Sequence, residues 1–144
     1  MPLLEKLACG LVRFASLPAF VLAAVTPPAD AKDGIHAIVH TAIPADAKNG
    51  AQLQISWTLA GEKSGKPFNA CSVFIRLIGP TGDATEAFAP CGANSDGLYD
   101  ALAIIPEGGV DTIEIGVAGT MTDRSGHSER SDWLMPLAND PIQK

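Results

Sequence analysis

The sequence predicts an all-β domain, a sandwich of about seven antiparallel strands fastened by one disulfide. Segments that alternate apolar and polar residues, or are rich in β-branched residues, recur at short intervals after the N-terminal segment. Glycine and proline, 14 and 11 of the 144 residues, separate these segments as they do in chains of short strands joined by turns. No window combines a helical period with capping residues, so we expect no helix in the folded part.

The predicted strands all lie within residues 32–144, which we expect to form one domain. They are Ile35 to Ile43, Ala51 to Leu59, Ser72 to Gly79, Ala84 to Ala89, Gly97 to Ile105, Val110 to Ala118 and Ser131 to Leu137. Their spacing is typical of an immunoglobulin-like sandwich. A chain of this length, without a presequence, is large enough to bury a modest core of its own.

A hairpin in the middle of the chain is predicted down to its register. In the segment Gly79–Asp83, proline starts a type I turn and Gly82 supplies the left-handed position that closes a three-residue loop. Pairing Gly79 with Asp83 sets three matched pairs opposite one another, namely Phe74 with Phe88, Arg76 with Glu86, and Cys71 with Cys91. Facing side chains of this kind stabilise a sheet, so the three pairs support the register.

Alternation along this hairpin separates a core face from an outer face. The core face carries an apolar stripe formed by Val73, Ile75 and Leu77. Phe74 and Phe88 are expected on the outer face beside Arg76 and Glu86, as an exposed aromatic patch that binds a partner. The alternative is that a loop, the N-terminal strand or a second layer covers both phenylalanines.

The first 31 residues are predicted to be a secretory signal peptide. Lys6 and Arg13 precede an apolar run at residues 14–25, and Ala29 and Ala31 supply the small side chains of a signal peptidase site. The run is about half of the ~20 residues that a helix needs to span a bilayer, so we expect no stable membrane span after cleavage. Retention of the segment as an anchor is the alternative. The domain is expected outside the cytoplasm, either periplasmic or secreted.

Cleavage would leave two cysteines, Cys71 and Cys91, in an oxidising compartment, where a close pair forms a bridge. The two residues are not in a C-x-x-C arrangement, which is the arrangement that lowers the pKa of a redox-active thiol. We therefore predict a structural disulfide.

The charge balance argues against nucleic acid as a partner. The formal net charge is -6, and the sequence contains no run of lysine and arginine residues. Binding to phosphates requires a basic surface, so nucleic acid is not expected as a partner.

Both tryptophans are predicted to lie in the core. Trp57 alternates with the apolar residues of the second predicted strand. Trp133 lies close to Met135 and Leu137 in the last predicted strand.

Three histidines, His36, His40 and His127, are the candidate metal ligands, and copper is the metal that an exported sandwich with exposed histidines suggests. His36 and His40 would face the same side of one strand, about 13 Å apart at a rise of ~3.3 Å per residue. That distance is too long for both to bind one ion. A site would need His127 from a distant loop, so no cofactor is expected and copper is the alternative.

The segment Thr120 to Arg130 is the longest polar run, and we expect it to be a loop between the last two strands. It contains the residue types of a hydrolase, Asp123, Ser125, His127 and Glu129. Nucleophilic catalysis requires such groups to be held in a rigid frame with an oxyanion donor, which neighbours in one loop rarely satisfy. The chain also lacks the common nucleophile, zinc-protease and phosphate-loop motifs, so no enzymatic activity is expected.

A resemblance to a known family rests on turn and strand residues. These are Gly65-Lys-Pro-Phe-Asn-Ala70, Val73-Phe-Ile-Arg-Leu-Ile-Gly-Pro-Thr-Gly82, Asp96-Gly-Leu-Tyr99 and Pro106-Glu-Gly-Gly109. Over residues 50–118 the chain resembles the FixH-like and YtkA-like family of extracytoplasmic β-sandwich domains. The resemblance implies an immunoglobulin-like fold and a role in cytochrome oxidase assembly or copper handling. The chain departs from the family in lacking a clear transmembrane anchor or a Met/His-rich metal motif, and no functional residue is carried over.

Together these features predict an exported, non-enzymatic binding or accessory module with a protein partner. The alternative is a periplasmic accessory protein that handles copper or assists oxidase assembly.

Overall fold

The computed structural model describes residues 33–91 and 96–144, and the regular structure of these residues is entirely β. The strands are β1 (Ile35–Val39), β2 (Ile43–Pro44), β3 (Gln52–Gly61), β4 (Val73–Ile78), β5 (Ala84–Phe88), β6 (Leu98–Ile104), β7 (Thr112–Thr122), β8 (Ser128–Met135) and β9 (Ile142–Gln143). The predicted all-β sandwich is confirmed. The two strands beyond the predicted seven are β2 and β9, which are two residues long and pair with each other in parallel.

The seven longer strands form two antiparallel sheets, in the orders β1-β3-β6 and β5-β4-β7-β8. In immunoglobulin constant domains the fourth strand pairs with the fifth. Here β5, the fourth of the longer strands, instead pairs with β4. This pairing enlarges the second sheet to four strands, and its outer face carries the candidate site.

The core lies between the two sheets and contains the predicted stripe, since Val73, Ile75 and Leu77 are buried. Trp57 is fully buried, as predicted, and its ring stacks on Tyr99 of β6 with centroids 6.0 Å apart. The inward positions of β6 opposite Ile55 and Leu53 are alanines. Small residues fit there because the large side chains of β3 already fill the space.

The β4–β5 hairpin has the predicted register, with Phe74 opposite Phe88 and Arg76 opposite Glu86. Its turn is also as predicted. The N–H of Gly79 donates to the carbonyl of Asp83, and Gly82 has φ 92°, a backbone conformation that glycine adopts without strain.

The predicted disulfide between Cys71 and Cys91 is present, with a Cα–Cα distance of 4.7 Å. It closes the open end of the β4–β5 hairpin. The disulfide is consistent with an oxidising compartment.

The predicted loop at residues 120–130 is wrong, because β7 and β8 continue through most of it as a hairpin. Only five residues, 123–127, form the turn. The carboxylate of Asp123 accepts hydrogen bonds from the N–H groups of Ser125 and His127, and Gly126 has φ 86°. These local contacts fix a tight turn. The polar composition of the segment had indicated a longer loop.

The predicted signal peptide, residues 1–31, lies outside the described residues. Within residues 33–91 and 96–144, no helix is long and apolar enough to cross a membrane.

Candidate functional site

The outer face of the four-stranded sheet carries a network of five charged side chains, which we call the ionic network. It consists of Arg76 on β4, Glu86 on β5, Glu114 on β7, and Arg130 and Asp132 on β8. Each of the four strands contributes at least one member, so the network spans the whole width of the sheet.

Arg76 lies at the centre of the ionic network. Its guanidinium is 2.9 Å from Glu86, 2.7 Å from Glu114 and 2.8 Å from Asp132. Arg130 bonds two of the same carboxylates, Glu86 at 2.8 Å and Asp132 at 2.7 Å. Because two carboxylates bridge the two arginines, no member can rotate away without breaking at least one short charge-assisted bond.

The members of the network hold one another in their charged forms. Hydrogen bonds from Arg130 and then Arg76 lower the pKa of Glu86, against the opposing effect of partial burial. The same two arginines lower the pKa of Asp132. In turn, Asp132 and then the two glutamates raise the pKa of Arg76.

The ionic network covers Phe74, which was predicted to be exposed and is fully buried. The guanidinium carbon of Arg76 lies 4.8 Å from the centre of the Phe74 ring, and that of Arg130 lies 5.3 Å away. On the neighbouring strand, a Cβ added at Gly116 would come within 2.9 Å of the ring. Phe74 therefore packs between a glycine and two arginines, outside the main core.

Phe88 remains accessible, as predicted, with 49% of its surface exposed. Its ring lies 5.9 Å from the Phe74 ring and 5.8 Å from the guanidinium carbon of Arg130. Leu134, opposite Gly116 on β8, is 45% exposed on the same face. Of the predicted binding residues, Phe88 presents apolar surface. The side chains of Arg76 and Glu86, 24% and 21% exposed, are engaged in the ionic network, and Phe74 is buried beneath Arg76.

A second exposed apolar surface lies on β6 and was missed from the sequence. Leu98, Leu102 and Ile104 project from the outer face of the three-stranded sheet, and Leu102 is 51% exposed. The signal was available, because β6 is apolar on both faces and only one face of an outer strand can enter the core. Their partners on β3 are the uncharged polar residues Thr58, Gln54 and Gln52. On the same face Gln54 donates a hydrogen bond to Asp100 at 2.7 Å, in place of the arginine contacts seen around Phe88.

The core placement predicted for Trp133 is wrong, because this side chain is 54% exposed. It lies on the inward side of β8 opposite Val117, level with the start of β4. Beyond that point the β7–β8 hairpin continues without β4 beside it. Phe68 packs edge-on against Trp133 with ring centroids 5.7 Å apart, so the loop before β4 partly covers the indole.

The candidate metal ligands are on different elements. His36 and His40 are on or beside β1, and His127 is in the β7–β8 turn. His40 contacts the Thr58 hydroxyl at 2.6 Å, and His127 contacts Glu129 at 3.4 Å. Among the residues that the structure describes, no group of three or more His, Cys, Asp or Glu side chains could hold a metal ion.

Of the four hydrolase-type residues, Glu129 lies on β8 and the other three lie in the turn between β7 and β8. The hydroxyl of Ser125 donates to Asp123 at 2.6 Å. In a nucleophilic site the serine would instead bond to the imidazole that removes its proton. Hydrogen bonds from Ser125 and from the backbone of His127 lower the pKa of Asp123, as expected of a carboxylate that organises a turn.

Comparison with known proteins finds no family model, no curated protein and no solved structure that matches this chain. The fold and its surfaces are therefore the basis on which a function is inferred.

Proposed function

We propose that this chain is a non-enzymatic module that acts outside the cytoplasm and binds a protein partner through the outer face of its four-stranded sheet. The observation that carries the proposal is the half-exposed Phe88 beside the ionic network. Its ring is accessible to a partner, while Arg130 and Phe74 hold it in place from two sides.

The composition of this face favours a protein as the partner. Aromatic residues and arginine are enriched at the centres of protein interfaces, where an apolar contact is surrounded by polar groups. Phe88 and Leu134 would supply the apolar contact, and Arg130, whose side chain is 47% exposed, would supply hydrogen-bond donors. The partner should therefore present an apolar surface with carboxylates or carbonyl groups near it.

The bonds within the ionic network also favour binding. Side chains that are already immobilised lose little conformational entropy when a partner contacts them. Arg130 makes its bonds to Glu86 and Asp132 in the free domain, so its remaining donors are positioned before binding.

The disulfide supports a location outside the cytoplasm, where such bonds persist. The copper-handling alternative derives from the resemblance to FixH-like and YtkA-like domains. It would require a ligand set beyond the three separate histidines, so protein binding is the preferred proposal.

Site-specific photo-crosslinking tests the proposed site. A photoreactive amino acid replaces Phe88 in one strain and Leu102 in another, because the two residues are equally exposed, at 49% and 51%, on different sheets. We expect a discrete protein adduct from position 88 after irradiation of producing cells, and none of the same mass from position 102. The same adduct from position 102 alone would contradict the proposed site.

A further inference from the structure

Strand β8 lies at the edge of the four-stranded sheet. The hydrogen-bond pattern identifies which of its residues direct their backbone N–H and C=O groups outward. The N–H of Ala118 donates to the carbonyl of Ser72, so even-numbered residues of β7 bond toward β4. Odd-numbered residues of β7 then bond to β8, as in the pair of Val117 with Trp133. The outward N–H and C=O groups of β8 therefore belong to its even-numbered residues, Ser128, Arg130, Asp132 and Leu134.

This edge is free over a defined length. Within residues 33–91 and 96–144, no strand other than β7 pairs with β8. From Pro136 onward the edge is covered, because its carbonyl accepts a hydrogen bond from the N–H of Ala37. At the other end β8 begins at Ser128, directly after the turn. The free stretch is thus 128–134, and its midpoint is Ser131.

We propose that a second copy of this chain pairs with β8, antiparallel and about a two-fold axis at Ser131. The two four-stranded sheets would join into one continuous sheet of eight strands. Such an isologous contact is the usual form of a homodimer interface, and unpaired strand edges are ready templates for it. This inference goes beyond the proposed function, because it rests on the unpaired backbone edge of β8. It shares two side chains, Arg130 and Leu134, with the proposed binding face.

Charge selects this register from the alternatives. Hydrogen bonding requires even-numbered residues of one copy to face even-numbered residues of the other. Centred on Ser131, the register places Arg130 opposite Asp132 of the second copy, and Asp132 opposite Arg130 of the second copy. A shift of one residue pair in either direction places Arg130 opposite itself or Asp132 opposite itself. Opposite charges stabilise facing pairs and like charges destabilise them.

The register also uses the whole free stretch. Ser128 faces Leu134 of the second copy at each end, so the four outward residues of each copy are all paired. Within one chain Arg130 and Asp132 already lie 2.7 Å apart. In the dimer they would form a cluster of two positive and two negative charges, which extends the ionic network across the axis.

Sedimentation velocity of the full exported protein tests for the dimer, over concentrations from the low micromolar to several hundred micromolar. We expect a monomer–dimer equilibrium that Leu102→Ser, on the other sheet, leaves unchanged. A monomer at every concentration would overturn the inference. A loss of the dimer in Leu102→Ser would show that the apolar surface of β6, and not the β8 edge, joins the copies.

Cysteine crosslinking tests the register. In Ser131→Cys the new thiols of the two copies would face each other at the axis, so an oxidised dimer should form at least tenfold faster than in the matched variant Glu129→Cys. In the proposed register Glu129 faces Trp133 of the second copy, so Glu129→Cys places no thiol opposite its own copy. Equal rates for the two variants would overturn the register.

A charge exchange separates pairing from misfolding. Arg130→Asp and Asp132→Arg should each abolish the dimer, because each places like charges opposite one another. An equimolar mixture of the two variants should recover it, because both facing pairs then carry opposite charges. A mixture that stays monomeric would contradict the proposal when circular dichroism shows both variants folded.

Discussion

Replacing Phe74 by alanine tests whether the ionic network buries the Phe74 ring on the outer face of the four-stranded sheet. The side chain is fully buried, and its removal would take away the ring on which both guanidinium groups rest. Full burial of such a side chain is worth about 1.5–3 kcal/mol, and Phe→Ala in a packed site costs about 3–5 kcal/mol. Arg76 and Arg130 have flexible stems that can partly fill the space, so we expect a loss of about 3 kcal/mol.

The matched variant is Phe88→Ala on the same face. Because about half of this ring is already exposed, its truncation should cost only about 1 kcal/mol. Urea unfolding, followed by tryptophan fluorescence, to which the buried Trp57 contributes, and by circular dichroism, measures both values. If Phe74→Ala cost no more than Phe88→Ala, the ring would not be covered as described, and the reasoning would be refuted.

Four further predictions concern other parts of the molecule. Replacing Cys71 and Cys91 together by alanine should lower the free energy of unfolding by about 2–3 kcal/mol, since the bridge closes a loop of 20 residues; rapid thiol labelling of the native exported protein would contradict the bridge. Arginine contacts lower the pKa of Glu86 in the folded state, so its stabilising effect is present above the unfolded pKa of about 4.3 and is lost as the pH falls through the folded pKa. Glu86→Gln should therefore flatten the fall in stability that begins below the unfolded pKa of about 4.3, as measured in urea titrations at successive pH values. Gly116→Ala should destabilise the domain by about 1–3 kcal/mol, because the new Cβ would lie 2.7 Å from a backbone carbonyl and 2.9 Å from a buried ring. Mass spectrometry of exported protein should show that residues 1–31 have been removed, and an intact N-terminus in the membrane fraction would favour a retained anchor.

The parts of the fold that were predicted correctly are those that local chemistry determines. The turn at Gly79–Asp83 fixes the register of β4 and β5, and the position of the disulfide follows from that register. Alternation within each strand identified the core faces, including the burial of Trp57. Each of these inferences needed only residues that are close in the chain or paired across one turn.

The errors arose where the outcome depends on distant parts of the chain. Phe74 is buried because Arg130 reaches over it from β8, a strand that its local sequence does not specify as a neighbour. Trp133 is exposed because the sheet around it ends before its own strand does. The hairpin beyond Ala118 has no core face, so its hydrophobic pattern gave no strand signal. In this segment the turn residues Asp123 and Gly126 indicate the hairpin more directly than the hydrophobic pattern does.

The most direct test of the central claim uses the partner protein that photo-crosslinking identifies, purified in its free form. Its affinity is measured for three forms of the domain, namely wild type, Phe88→Ser and Leu102→Ser. Both variants remove a half-exposed apolar side chain, so they control for a general loss of surface hydrophobicity. We predict that Phe88→Ser raises the dissociation constant at least tenfold, about 1.4 kcal/mol, while Leu102→Ser leaves it within about twofold. An unchanged affinity for Phe88→Ser, or a loss confined to Leu102→Ser, would contradict the proposal that the outer face of the four-stranded sheet binds the partner.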